Sequence, residues 1–209
     1  SLRGVAVNIV PGVIEQVGMP NVMRGEETQV LGVLQGLAAQ VLIGLPGSHS
    51  KWVEVADGCI THFDTFMTGE LFAVLSKHSI LGRTQKPSEH FQAEAFDRGV
   101  SVARSNDGHR GVLSTLFSAR TLGLTAELAP DQQADYLSGL LIGHELAGLP
   151  EHAKHKPIVL VGNAQLCARY QRALALCGFA HVSLAQEASE RGLWQLAVAA
   201  GLTQPVLEA

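Results

Sequence analysis

A chain of 209 residues with 15 Lys and Arg against 19 Asp and Glu, net −4, has no basic stripe, which argues against nucleic acid as a partner. Hydrophobic residues make up 46% and glycines number 22, as in a well-packed α/β protein; no apolar run approaches the roughly 18 residues of a membrane span, and Ser1 opens no signal-peptide pattern. Three cysteines, Cys59, Cys167 and Cys177, are an odd number without metal-ligand spacing, which points to a reducing cytoplasm.

The first apolar run, Val5–Val10, is ended by Pro11-Gly12 and reads as a lone strand. From Arg24 to about Gln40 the apolar positions Val30, Leu31, Leu34, Leu37 and Ala38 recur at helical spacing, with Glu26 and Glu27 in the first turn where the helix dipole favours them. Gly32 and Gly36 sit four apart on this helix and allow another backbone to come close.

Residues 40–75 form the most informative stretch. Three strands are expected at Val41–Leu45, Lys51–Val55 and Ile60–Phe66, then a helix from about Met67 that Thr68 caps and Glu70 charges. Asp57-Gly58 is a strong hairpin signal. The turn Pro46-Gly47-Ser48-His49 places small residues and hydroxyls at a strand end, with Ser50 and Lys51 following. Close-approaching N–H groups and a nearby cation are what a phosphate oxygen needs. Lys51 itself reads as a solvated strand residue.

Residues 79–129 read as an inserted helical subdomain of short helices and polar loops. Asp131 is placed to cap a helix running to Leu149, and Gly139 and Gly143 repeat the four-residue spacing. The last sixty residues or so alternate strand and helix: Pro157–Val161, Ala164–Leu176, His181–Leu184 and Ala188–Ala200, a pattern that implies parallel pairing. His152 and His155, flanked by Lys154 and Lys156, read as surface residues.

From Val41 onward the order is βββα, a helical insertion, then αβαβα. This order resembles the ribonuclease H-like fold, used twice per chain in the actin, hexokinase and Hsp70 class of ATP-handling proteins. The wording of four segments is similar to the 2-dehydro-3-deoxygalactonokinase family: Asn21-Val-Met-Arg-Gly-Glu-Glu-Thr-Gln29, Pro46-Gly-Ser-His-Ser-Lys-Trp-Val53, Phe66-Met-Thr-Gly-Glu-Leu71 and Ser138-Gly-Leu-Leu-Ile-Gly143. The resemblance implies a sugar-acid kinase of galactonate catabolism that transfers the ATP γ-phosphoryl, with Mg²⁺, to the 6-hydroxyl of 2-dehydro-3-deoxy-D-galactonate. Its partners would be ATP and the sugar acid; a homo-oligomer is compatible with it.

By resemblance, residues 1–25 are a remnant of a first domain, 26–40 a hinge helix, and 41–209 the nucleotide-binding domain. Helices 26–39 and 132–149 are then expected to cross at the hinge. Gly47, Ser48, His49 and Ser50 would donate to the ATP phosphates, and Gly162 and Asn163 would lie along the adenosine. Glu26 and Glu27 would orient Mg²⁺-bound water or the acceptor hydroxyl, and Arg24 would pair with the substrate carboxylate. Glu26 and Glu27 also read as plain helix-end charges. The family's N-terminal Asp-x-Gly-Thr-Thr-Asn phosphate loop has no counterpart here, so the chain reads as a truncated and inactive piece. An exopolyphosphatase-like phosphohydrolase and a non-catalytic nucleotide or sugar-acid sensor are the alternatives.

Overall fold

The computed structural model describes residues 7–34 and 40–203. Within them lie seven strands: β1 Val13–Glu15, β2 Asn21–Met23, β3 Gln40–Leu45, β4 Ser50–Ala56, β5 Cys59–Phe66, β6 Ile158–Val161 and β7 Val182–Ala185. The α-helices are α1 Glu26–Val33, α2 Thr68–His78, α3 Ala93–Ala103, α4 Val112–Thr115, α5 Ser118–Leu124, α6 Gln133–Ala147, α7 Ala164–Leu176 and α8 Ala188–Ala199.

A mixed five-stranded sheet runs in the order β5-β4-β3-β6-β7. β3, β4 and β5 form an antiparallel meander, while β3, β6 and β7 are parallel. The Asp57-Gly58 turn joins β4 to β5 with φ of 49° and 76°, both positive, as a tight hairpin turn of matching twist requires. The apolar runs of β3 and β6 are buried throughout, apart from Gln40, because helices cover both faces.

One face packs Leu42, Trp52 and Leu160 against Phe96 and Val100 of α3, Ile142 and Leu146 of α6, and Tyr170 and Leu174 of α7. The other packs Ile43, Val53 and Val159 against Val30 and Val33 of α1 and Ala188 of α8. A third cluster joins Leu81, Ala119 and Leu128 of the 79–129 region to Tyr136, Leu137 and Leu140 of α6. Phe96 and Val100 thus place α3 in the main core rather than in a satellite.

Several expectations are corrected. No strand forms in 7–12, and Val5 and Ala6 lie outside the described residues; instead β1 pairs antiparallel with β2, Val13 opposite Met23. The helices expected to cross, described here as α1 and α6, do not meet. They lie on opposite faces of the sheet, and their small residues serve other partners. A Cβ on Gly32 would overlap the Ala188 carbonyl of α8, and one on Gly139 would overlap the Phe96 carbonyl of α3. The first helix is described only to Val33, with Leu34 as its C-cap; Gly36, Leu37 and Ala38 lie outside the described residues. Asp131 does not cap α6, whose N-cap is Gln132. Thr68 does not cap α2 either; it is buried as the first helical residue.

Candidate functional site

In a sheet of this kind a crevice forms beyond the carboxyl ends of parallel strands where the chain turns away on both sides. Here β3 and β6 end side by side, and β3 leads to the antiparallel β4 while β6 leads into α7. A cleft of about 470 Å³ opens at this point, lined by Arg24, Gly25, Glu26, Gln29, Leu45–His49, Val161, Gly162 and Ser189. Gly162 adopts φ 153°, and a Cβ there would sit 3.3 Å from the Pro46 carbonyl, so the two turns meet closely.

The turn after β3 is braced from behind by α2. The Glu70 N–H donates to the Ser48 carbonyl at 2.9 Å, a Cβ on Gly69 would overlap the Gly47 carbonyl, and His49 Nε2 pairs with the Glu70 carboxylate. Ser48 and His49 themselves are exposed to the cleft.

The first turn of α1 supplies the opposite wall. Gly25 has φ 107°, a conformation that suits only glycine, and lets the chain swing from β2 into the helix. Glu26 Oε2 accepts the Arg24 N–H at 3.0 Å, while Glu26 Oε1 lies 3.6 Å from Lys51 Nζ. Glu27 accepts the Gly25 N–H at 2.7 Å through Oε2 and the Thr28 hydroxyl at 3.3 Å through Oε1. Glu26 therefore belongs to the cleft, whereas both oxygens of Glu27 are spent on the helix end. The Arg24 side chain enters no ion pair among the described residues.

Of the residues expected at the site, Arg24, Glu26, Gly47, Ser48, His49 and Gly162 come together. Three do not. Ser50 is buried and its hydroxyl lies 2.9 Å from the Tyr170 hydroxyl, beneath the turn. Asn163 caps α7, its Oδ1 accepting the Gln165 and Leu166 N–H groups at 2.9 and 3.2 Å. Glu27 turns away as described. Lys51 is also corrected: it is 5% exposed, not solvated, and also donates to the His49 carbonyl at 3.4 Å.

The sequence reading missed Gln29 and Ser189, which join α1 to α8 across 160 residues through a 3.1 Å hydrogen bond at the cleft edge. Nothing local marks either residue. The metal question is simpler: among the described residues no group of three His, Cys, Asp or Glu forms a ready-made metal site.

The chain is similar to known proteins along most of its length. The family described as 2-keto-3-deoxy-galactonokinase matches residues 1–196. The 2-dehydro-3-deoxygalactonokinase of Escherichia coli (strain K12) is 38% identical over 172 residues, 81% of this chain and 57% of that protein. A protein of Rhizobium meliloti (strain 1021) assigned the same activity is 38% identical over 171 residues, 80% of this chain and 56% of its own. A crystal structure of a Sinorhizobium meliloti protein assigned that activity superposes with a TM-score of 0.80 at 37% identity, covering 91% of this chain and 64% of that one. The chain thus spans little more than half the length of the curated relatives it matches. On the extent of these matches, the chain belongs to the 2-keto-3-deoxy-galactonokinase family.

Proposed function

We propose that the protein is a sugar-acid kinase that transfers the γ-phosphoryl of ATP to the 6-hydroxyl of 2-dehydro-3-deoxy-D-galactonate. The observation that carries this reading is the meeting of two turns and one helix end, at Gly47–His49, Gly162 and Arg24–Glu26, in a chain of that family. Support for a ribonuclease H-like unit comes from the strand order β5-β4-β3-β6-β7 with its antiparallel meander and parallel pair. In this reading residues 1–25 belong to a preceding domain, 26–40 form the connecting segment that begins with α1, and 41–209 form the nucleotide-binding domain. The exposed Ile14, Val17, Met19 and Val22 of the β1–β2 region suit contact with such a domain.

Phosphoryl transfer depends on positioning and charge neutralisation more than on covalent help. In this reading the Gly47, Ser48 and His49 N–H groups and the Ser48 hydroxyl face the ATP phosphates. Gly162 lies against the nucleoside, with Asn163 acting indirectly by capping the helix behind it. Arg24, whose planar fork suits a carboxylate, takes the carboxyl end of the sugar acid.

Mg²⁺ suits this donor set, because it keeps several waters and needs only one or two carboxylates beside the phosphates. Glu26 would hold it through water, and the ion would neutralise charge on the phosphate oxygens. Lys51 keeps the Glu26 carboxylate in place from the buried side.

A product assay on the whole protein tests the reading. ADP release that depends on 2-dehydro-3-deoxy-D-galactonate is expected. Phosphate release from polyphosphate would mark a phosphohydrolase instead, and ATP binding with neither product would mark a sensor.

A further inference from the structure

Beneath the turn that follows β3, side chains from three elements, α6, β4 and α7, meet in a closed polar knot. Glu145 of α6 is 3% exposed; its Oε1 accepts the Trp52 indole N–H at 2.7 Å, and its Oε2 accepts the Tyr170 hydroxyl at 2.8 Å. Burial pushes the Glu145 carboxyl up, while hydrogen bonds from Thr68, Trp52 and Tyr170 hold it back. An apolar side chain would fill the same space without the cost of burying a carboxyl group, so packing alone does not account for it.

With the Glu145 carboxyl ionised, donor counting sets the direction of the chain. An indole N–H can only donate, and a phenol has one proton to give. With the Tyr170 proton on Glu145, the Tyr170 oxygen is left to accept from Ser50, 2.9 Å away. The Ser50 hydroxyl therefore points down into the core. Ser50 begins β4 immediately after His49, and Thr68 begins α2, whose next two residues brace Gly47 and Ser48. One carboxyl group thus ties α6 and α7 to the start of the strand that carries the turn.

We propose that Glu145 is a positioning residue: acting through Tyr170 and Ser50, it holds Gly47, Ser48 and His49 in the conformation that faces the cleft. The inference rests on the reading of this turn as the phosphate site. Glu145 does not line the cleft itself.

Two variants test it on the full chain. Tyr170→Phe removes the link and keeps the ring; Glu145→Gln keeps the shape but makes its amide donate toward Tyr170, reversing the chain. Without nucleotide, backbone hydrogen exchange at 47–49 is expected to quicken roughly tenfold or more in Tyr170→Phe, the cost of about one lost buried hydrogen bond, with β6 unchanged. Exchange at 47–49 equal to wild type, or quickened uniformly across the sheet, would overturn the proposal.

A second readout separates the proposal from the function it rests on. These 209 residues hold two tryptophans, so with Trp194 and any tryptophan of the whole protein outside them replaced by Phe, Trp52 alone reports on the knot. Titration with MgATP is expected to shift Trp52 emission, and the apparent Kd to rise roughly tenfold in Tyr170→Phe, about 1.4 kcal/mol. Equal affinity in the two proteins would overturn the positioning role. A parent that binds no ATP, with exchange at 47–49 still quickened by Tyr170→Phe, would support the clamp and overturn the phosphate reading.

Discussion

Lys51 and Glu26 face each other at 3.6 Å across the base of the cleft, linking the start of β4 to the first turn of α1. The Lys51 side chain is nearly buried and Glu26 is about one quarter exposed, so the pair stands between solvent and core. Removing one partner of a buried pair leaves a charge without compensation, although access to water on the Glu26 side softens the loss. Lys51→Met is expected to lower stability by about 1–3 kcal/mol, read from the denaturant midpoint, and to weaken ATP binding because Glu26 loses its tether. A Lys51→Met protein with unchanged midpoint and unchanged affinity would show the pair to be incidental.

Arg24 is exposed and enters no ion pair among the described residues, so its replacement tests binding with little effect on folding. Arg24→Lys keeps the charge but loses the planar fork. KM for the sugar acid is expected to rise roughly tenfold or more, the value of one charge-assisted hydrogen bond, with thermal stability unchanged. An equal rise in KM for ATP would place Arg24 on the nucleotide instead.

Two glycines of the same turn region make opposite predictions. A Cβ on Gly69 would overlap the Gly47 carbonyl and lie 2.9 Å from Ser48 Cα, whereas one on Gly47 meets nothing within 4 Å. Gly69→Ala is expected to cost about 1–3 kcal/mol through overpacking and to weaken ATP binding as α2 is pushed off the turn. Gly47→Ala is expected to stay within about 0.5 kcal/mol of wild type, yet to weaken ATP binding because its methyl group stands where a phosphate approaches. Calorimetric melting and nucleotide titration of the two variants decide between these outcomes.

The β1–β2 hairpin is held to β5 by a titrating contact. His62 Nδ1 lies 2.8 Å from Glu15 Oε1 and its Nε2 3.3 Å from Asp64 Oδ2, while Glu15 Oε2 accepts the Phe63 N–H at 3.2 Å. The hydrogen bond to Glu15 raises the His62 pKa above 6.5, and the same bond lowers that of Glu15 below 4.5. A raised histidine contributes stability that is fully present below pH 6.5 and is lost as pH climbs through its folded value. A lowered carboxylate contributes above pH 4.5 and is lost as pH falls through its folded value. The contact is therefore strongest between about pH 4.5 and 6.5 and weakens above that window. The stability gap between wild type and His62→Gln is expected to be below about 1 kcal/mol, as for a solvent-reached pair, and to shrink from pH 6 to pH 8. A gap that is constant or widening over that range would contradict the assignment.

Much of this architecture is written locally in the chain. The Asp57-Gly58 turn and its flanking apolar strands mark the meander, and the strand-helix alternation after Pro157 marks the parallel pair, with α7 at Ala164–Leu176 as expected. The β1–β2 hairpin is illegible because strands of three residues are too short to show a period of two. Gly32 and Gly139 announce that a backbone comes close, but the partners, α8 and α3, are chosen by the whole packing. The same holds for the site. Small polar residues reveal the 46–49 turn, while the burial of Lys51 and Ser50 depends on Glu26 and Tyr170, distant in sequence. Glu27 is open to a bland reading as a helix-end charge or to a binding role, Asn163 is expected along the adenosine, and both are engaged at helix ends.

The fate of the transferred phosphoryl group distinguishes a kinase from a phosphohydrolase most directly. The whole protein is incubated with γ-labelled ATP, Mg²⁺ and 2-dehydro-3-deoxy-D-galactonate, and the label is located by phosphorus NMR. Label is expected on the 6-oxygen of the keto acid, lowered at least tenfold in Glu26→Gln, about 1.4 kcal/mol of barrier. Label appearing only as inorganic phosphate, with the keto acid unmodified, would contradict the kinase reading.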